Sequence, residues 1–422
     1  MRNNPVLATI IFSIILLIID SYSWWGIRKI IVDYSKKTKK RIKILFWGLP
    51  IFIIIGTSLL FSFQHQIPHD KILSFFNIIS GAFVLFYVPK LVFVDFNIID
   101  DIYFAIRKAI ALKMKSKTNP ENRGKLITRR KLLTQVGIIF AGVPFVSLFY
   151  GIIHGRFDFT TRSLTLNYPN LPAKFNGLKI VQISDFHIGT FLHYKSRVQE
   201  IIDLINDENA DLILFTGDLV NNVSEEIDPF YNALKSLKAK VGKYAILGNH
   251  DYGEYVPWKS EQEKQENIKN VIKKEKEIGF DLLLDESRKI QIEDEFIELV
   301  GIENWGLPPF PQYGDLKKAM TETSDDSFKI LMSHDPTHWD AQVLQKTDID
   351  LTLSGHTHGA QFGIEIPGFR WSPATVRYKR WGGLYLEGNQ KLYINTGLGS
   401  IGYPGRVGMP PEITVLTLNK NV

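Results

Sequence analysis

The chain has 422 residues, 45 % of them hydrophobic, with a formal net charge of +6 and no cysteine. The lack of cysteine excludes disulfides, thiolate catalysis and cysteine-ligated zinc. The charge is uneven: residues 1–159 hold 22 Lys+Arg against 8 Asp+Glu, and the remainder holds 28 against 36, so the C-terminal part carries no nucleic-acid footprint.

Four apolar segments come first: Val6–Ile19, extended to Trp24 and Trp25; Ile44–Phe63; Ile72–Val88, continued past Pro89; and Leu132–Ile153. Crossing about 30 Å of hydrocarbon takes roughly 17–25 mostly apolar residues. The last three segments meet that, and the first meets it with its aromatic end in an interfacial belt. The loop after the first segment and the loop Asp95–Lys131 are strongly basic, whereas QHQIPHDK, which holds His65 and His69, has one lysine. Basic loops stay inside, so the N-terminus and everything after Ile153 are expected outside. Residues 95–115 read equally as an interfacial helix on an anionic leaflet and as a cytoplasmic continuation of the third span. TRRKLLT (Thr128–Thr134) resembles a twin-arginine export signal, although basic residues before an outward-going span need no such explanation. The spans show neither buried acidic pairs nor broken repeats, so they read as an anchor rather than a transporter.

The expected organisation is an anchor over residues 1–153, a linker over 154–162 and a catalytic domain over 163–422. Within that domain LKIVQIS, DLILFTG, KYAILGN, FIELVGI, FKILMS, IDLTLSG, KLYINTG and EITVLTL read as strands. Helical stretches separate the early ones, which predicts a layered α/β domain. Five strands are followed directly by metal-binding residue types: Asp185 and His187, Asp218, Asn249 with His250 and Asp251, His334, and His356 with His358. In an open α/β sheet, ligands bind beyond the carboxyl ends of the strands. Oxygen and imidazole donors without thiolate suit Mn, Zn or Fe. In an extended segment residues i and i+2 share a side, so Asp185 with His187, and His356 with His358, are expected to present paired donors. Seven donors exceed the need of one ion and suit two. Each fragment alone is weak, and GNHD reads equally as an Asx turn.

The arrangement DFH…GD…GNHD…H…GHTH resembles the calcineurin-like metallophosphoesterase superfamily over about 260 residues. GNHDYG at 248–253, SGHTHGAQ at 354–361 and the tail INTGLGSIGYPGRVGMPPEITVLTL are similar to its membrane-anchored bacterial branch. Some of that branch is similar to the UDP-2,3-diacylglucosamine hydrolases of lipid A biosynthesis. The resemblance implies an α/β/β/α sandwich, two facing sheets flanked by helices, behind a bundle of about four transmembrane helices. It also implies two divalent metal ions. Asp185, His187 and His358 would bind the first and Asn249, His334 and His356 the second, with Asp218 bridging. His250 would be the general acid or a phosphate-contacting residue, oriented by Asp251. Asn221 departs from the acid frequent in the branch.

Two cations close together clamp phosphoryl oxygens and acidify a shared water to hydroxide at neutral pH. The expected function is therefore a membrane-tethered phosphohydrolase, in a bacterial plasma membrane with its site outside, acting on a lipid-linked or membrane-surface phosphate ester or pyrophosphate. A non-catalytic membrane sensor or scaffold of the same fold is the alternative. His193 and His338 read as structural or exposed, His154 follows the last span, and Arg406 reads as either a phosphate contact or part of a plain turn.

Overall fold

The computed structural model describes residues 5–63, 69–113 and 120–421. The chain divides into two compact units, residues 1–150 and 151–422. Residues 64–68, with His65, and residues 114–119 lie outside the described residues.

The first unit is built from α1 (Pro5–Ile30), α2 (Lys36–Phe63), α3 (His69–Lys113) and α4 (Pro120–Ile153). All four are long and apolar enough to cross a membrane. Leu16, Ile53, Ile79 and Tyr87 form a small core among α1, α2 and α3, while most other apolar side chains point outward, as lipid-facing helices require. α3 runs 45 residues, about 68 Å at 1.5 Å per residue, so residues 95–113 are a continuation of the third helix, not a separate one. The anchor is also less plain than its hydropathy. Asp20 is fully buried and accepts from Tyr87 Oη and Lys90 Nζ, both at 2.5 Å. Nearby in sequence, Lys29 lies 3.8 Å from Asp100 and 3.6 Å from Asp101. Charges seldom sit inside a span without a partner, and here the partner comes from a different helix.

The second unit is layered. Its first sheet runs, in spatial order, Thr160–Tyr168, Glu412–Lys420, Leu178–Ile183, Leu212–Phe215, Gly242–Ala245 and Asp281–Leu282. The second runs Gly383–Glu387, Gln390–Ile394, Leu351–Ser354, Lys329–Met332, Glu295–Gly301 and Glu286–Ile292. Their central strands are parallel. Such strands are covered on both faces and read as unbroken apolar runs. Leu178 and Ile180 join Leu212, Leu214, Ile297, Leu299, Ile330, Leu351 and Leu353 in the core between the sheets. The alternate residues Val181 and Ile183 pack outward with Val198, Ile201, Ile205 and Val271, from helices Lys195–Asp207 and Glu261–Ile278. Val300, Leu331 and Ile394 cover the far face of the second sheet with Trp339 and Val343. Three cores separating four layers are the α/β/β/α sandwich expected. The outermost layer is thin, because only Leu316–Ala319 and the turn Trp339–Val343 supply helix there. Parallel strands in register end at one edge, and that edge carries the site.

Candidate metal centre

The loop after Leu178–Ile183 supplies Asp185 and His187, that after Leu212–Phe215 supplies Asp218, and that after Gly242–Ala245 supplies Asn249 and His250. His334 follows Lys329–Met332, and His356 and His358 follow Leu351–Ser354. Asp185, His187, Asp218, His356 and His358 all adopt φ between +43° and +70°. Left-handed backbone is strained for such residues and persists only where the surroundings enforce it. This corrects the extended-segment picture: the paired donors reach one side through left-handed turns, not through strand alternation. Two glycines allow the approach. A Cβ at Gly248 would overlap the Asp218 carboxylate, and one at Gly355 would overlap Ser184 and Asp185.

The donor atoms converge. His358 Nε2 is 3.2 Å from Asp185 Oδ1 and 3.1 Å from His187 Nε2. His334 Nε2 is 3.2 Å from both His356 Nδ1 and Asn249 Oδ1. Asp218 Oδ2 lies between the sets, 3.5 Å from His187 Nε2 and 3.2 Å from His334 Nε2. Ligand bonds of about 2.0–2.2 Å separate neighbouring donors by about 3.0–3.5 Å, so the spacing matches donors that share an ion. The donor set therefore fits divalent cations.

Supporting bonds hold the rings. His334 Nδ1 pairs with Thr216 O at 2.8 Å, leaving Nε2 to face the cluster. His356 Nε2 meets Tyr378 Oη at 3.0 Å and lies 3.3 Å from Asp335 Oδ2. His250 stands edge-on to His187, 4.8 Å between ring centroids, and packs on Tyr255 at 4.4 Å. Its Nδ1 pairs with Asn221 O at 2.7 Å. The Asp251 contact expected to orient His250 is absent, because Asp251 instead accepts the amides of Asp218, Val220 and Gly248 at 2.8–3.2 Å. The Asn221 carbonyl takes the orienting role, and Glu226 fixes Asn221 through its amide and side chain at 2.7 and 2.8 Å.

Burial works to raise the Asp218 carboxyl, but His334 and His250 outweigh it and hold it well below the usual range. Burial works to strip His334 of its proton, and the Asp218 charge overrides this and lifts it to about 10. Burial pushes His187 and His356 down. Asp251 is pushed up to about 7 by burial and the charge of Asp218.

Asp335 shows in the sequence only as the neighbour of His334, and Glu226, Tyr255 and Tyr378 are not marked there: Tyr255 and Tyr378 come from loops without periodicity or motif, and Glu226 from the short helical turn Ser224–Phe230. Arg406 is fully buried and donates to the carbonyls of Gly399, Thr396 and Met409. Its guanidinium also meets His358 Nδ1 at 3.2 Å, so it packs behind a ring of the cluster and is not part of a plain turn. His338 is buried against Ser333 Oγ, and neither it nor His193 belongs to the donor cluster.

The sandwich, with this cluster at its strand ends, defines a metal-dependent phosphoesterase class. A family model described as "Calcineurin-like phosphoesterase" matches residues 178–360, and one described as "Probable Calcineurin-like phosphoesterase, transmembrane domain" matches residues 4–156. The "Uncharacterized metallophosphoesterase YkuE" of Bacillus subtilis is 33 % identical over 267 residues, 61 % of this chain and 85 % of that one. A "Transmembrane protein with metallophosphoesterase domain" from Danio rerio is 27 % identical over 279 residues, 64 % of this chain. The chain spans 60 % of the length of that Danio rerio relative. The chain belongs to the calcineurin-like metallophosphoesterase family, joined to a four-helix membrane region. It is a membrane protein whose C-terminal unit is of the metal-dependent phosphoesterase class.

Proposed function

We propose that the protein is a dinuclear phosphohydrolase that cleaves a phosphoester or pyrophosphate bond of a lipid-linked or membrane-surface substrate. The observation that carries this reading is the single Asp218 oxygen shared between His187 and His334. Asp185, His187 and His358 would hold one divalent cation, Asn249, His334 and His356 the other, and Asp218 both. Bound cations supply charge neutralisation at the phosphoryl oxygens and activation of water.

The remaining chemistry falls to this chain's own groups. Donation from His250 Nδ1 to Asn221 O fixes the ring and turns Nε2 away from the backbone. Nε2 is then the atom that hands a proton to the leaving oxygen. Tyr255 and His187 bound that ring and limit its rotation. Native metals of the Mn, Zn or Fe type follow from the oxygen and imidazole donors.

An anchor over 1–153, a linker over 154–162 and a catalytic domain over 163–422 would tether the site to a membrane, and the basic loops favour the outer side of a bacterial plasma membrane. A UDP-2,3-diacylglucosamine substrate would need the site in the cytoplasm, opposite to that side. Metal analysis of the full-length protein, with hydrolysis of bis(p-nitrophenyl) phosphate, tests the reading. Two equivalents of metal and turnover lost in Asp218→Ala are expected. One equivalent, or turnover retained in that variant, overturns it.

A further inference from the structure

Residues 364–371, IEIPGFRW, form a two-stranded hairpin outside both six-stranded sheets. Pro367 and Gly368 make its turn, with Gly368 at φ +78°, where glycine is unstrained. The register pairs Ile364 with Trp371, Glu365 with Arg370 and Ile366 with Phe369. Cross-strand partners share a face and successive residues alternate. One face therefore carries Ile364, Ile366, Phe369 and Trp371, and the other carries Glu365 and Arg370.

The polar face is the one tied to the domain. Arg162 grips Glu365 through two bonds of 2.9 and 2.7 Å. Arg370 donates to Gly382 O at 2.6 Å and lies 4.4 Å over the Trp381 ring. The four apolar side chains are left 40–58 % exposed, and Val376, five residues on, is 90 % exposed. A hairpin of a soluble domain is built the other way round, and an apolar face presented to the outside marks an interaction site.

We propose that this face enters the lipid bilayer and that the hairpin presents acyl-chain-bearing phosphate esters to the His356 side of the site; the second half rests on the hydrolase reading above. Three observations favour a bilayer over a protein partner. Only residues 154–159 separate the end of α4 from the first strand of the sandwich, and six residues reach at most about 21 Å, so the chain itself keeps this unit near lipid. Phe and Trp flanked by Arg377 and Lys379 are the composition of an interfacial segment. The hairpin is also joined to the site: Ser372 Oγ donates to Gly359 O at 2.6 Å, and Tyr378 Oη meets His356 Nε2 at 3.0 Å. A headgroup held at its foot is then beside the donor cluster.

The chain has no cysteine, so Ile366→Cys can carry a single environment-sensitive fluorophore in the full-length protein, reconstituted in phosphatidylcholine and phosphatidylglycerol vesicles. Interfacial segments lie about 5–10 Å deep, so nitroxide lipids should quench this label at least about twofold more than one at Ser236→Cys. Adding Phe369→Asp and Trp371→Asp should abolish that difference while bis(p-nitrophenyl) phosphate hydrolysis is retained. Equal quenching at the two positions overturns the proposal. So does excimer formation by a pyrene label at position 366, which would put a second copy on this face. Loss of diester hydrolysis in the unsubstituted protein sinks the hydrolase reading and leaves the quenching result to stand on its own.

Discussion

Asp251 accepts the amide of Asp218 at 2.8 Å, so a buried carboxylate holds the backbone of the shared donor rather than any ring. The same carboxylate takes the amides of Val220 and Gly248. It thereby ties the loops after two neighbouring strands into one unit. Asp251→Ala would leave three buried amides unpaired at about 1–3 kcal/mol each. We expect a loss of at least about 3 kcal/mol in unfolding free energy, with metal content falling as well. Asp251→Asn keeps an acceptor and should lie between the two. Thermal unfolding of the detergent-solubilised protein, read beside metal analysis, distinguishes these outcomes. An alanine variant of unchanged stability would mean that the loops hold themselves.

Glu226 acts on His250 through Asn221. Its carboxylate accepts four donors, the amides of Asn221, Asn222 and Val223 and the Asn221 side chain. Glu226→Gln replaces one accepting oxygen by a donor and should let the Asn221 carbonyl drift from His250 Nδ1. Turnover on a diester should fall about tenfold, as for removal of an outer partner of a site residue, with two metals still bound. Metal loss in parallel with turnover would make Glu226 a support of the cluster and not of the proton donor.

The donor residues were legible because metal chemistry restricts their types and because each follows a run apolar enough to read as a covered strand. Their backbone state was not legible. Asp185 and His187 looked like alternate positions of an extended segment, yet both are left-handed, a conformation imposed by loops that meet only in three dimensions. Tyr378 was missed for the same reason, since it reaches His356 by a bond between segments that share no local pattern; Glu226 was missed because a glutamate capping its own turn carries no mark of a nearby site. Ile364–Trp371 shows a further limit. Its alternation is plain in the sequence, but alternation does not say which face is inward, and here the charged face is. Asp20 and Lys90 sit in segments whose mean hydropathy hides them, and only the packing of α1 against α3 brings them together.

Metal binding should release about one proton. In the metal-free cluster His334 is lifted to about 10 by Asp218, after burial is overcome, whereas burial keeps His187 and His356 low. At pH 7 His334 therefore holds a proton that a cation must displace, whereas burial leaves His187 and His356 without one. Affinity should rise by about tenfold per pH unit until the pH approaches 10. Calorimetric titration of a divalent ion into chelator-treated protein, in two buffers of different ionisation heat, measures the released protons directly. A value near zero would show that the metal-free cluster is already deprotonated.

Glu275 has no part in the site and bears on stability instead. It lies on the helix Glu261–Ile278, fully buried, with neither carboxylate oxygen hydrogen-bonded. Burial, and then the charge of Asp251, push its pKa well above the ordinary glutamate value. The sign follows from proton binding. Above about pH 4.3, where an unfolded glutamate ionises, the folded chain still holds a proton that the unfolded chain has released. This group therefore lowers stability as pH rises, until its own folded pKa is passed. Glu275→Met fills the same volume without a polar group, so it should leave stability nearly unchanged at pH 4 and raise it by about 2 kcal/mol at pH 8. Unfolding midpoints measured across that range should show a shallower decline in the variant. If both proteins decline with the same slope, Glu275 is charged and paired in the folded chain, and its burial is stabilising after all.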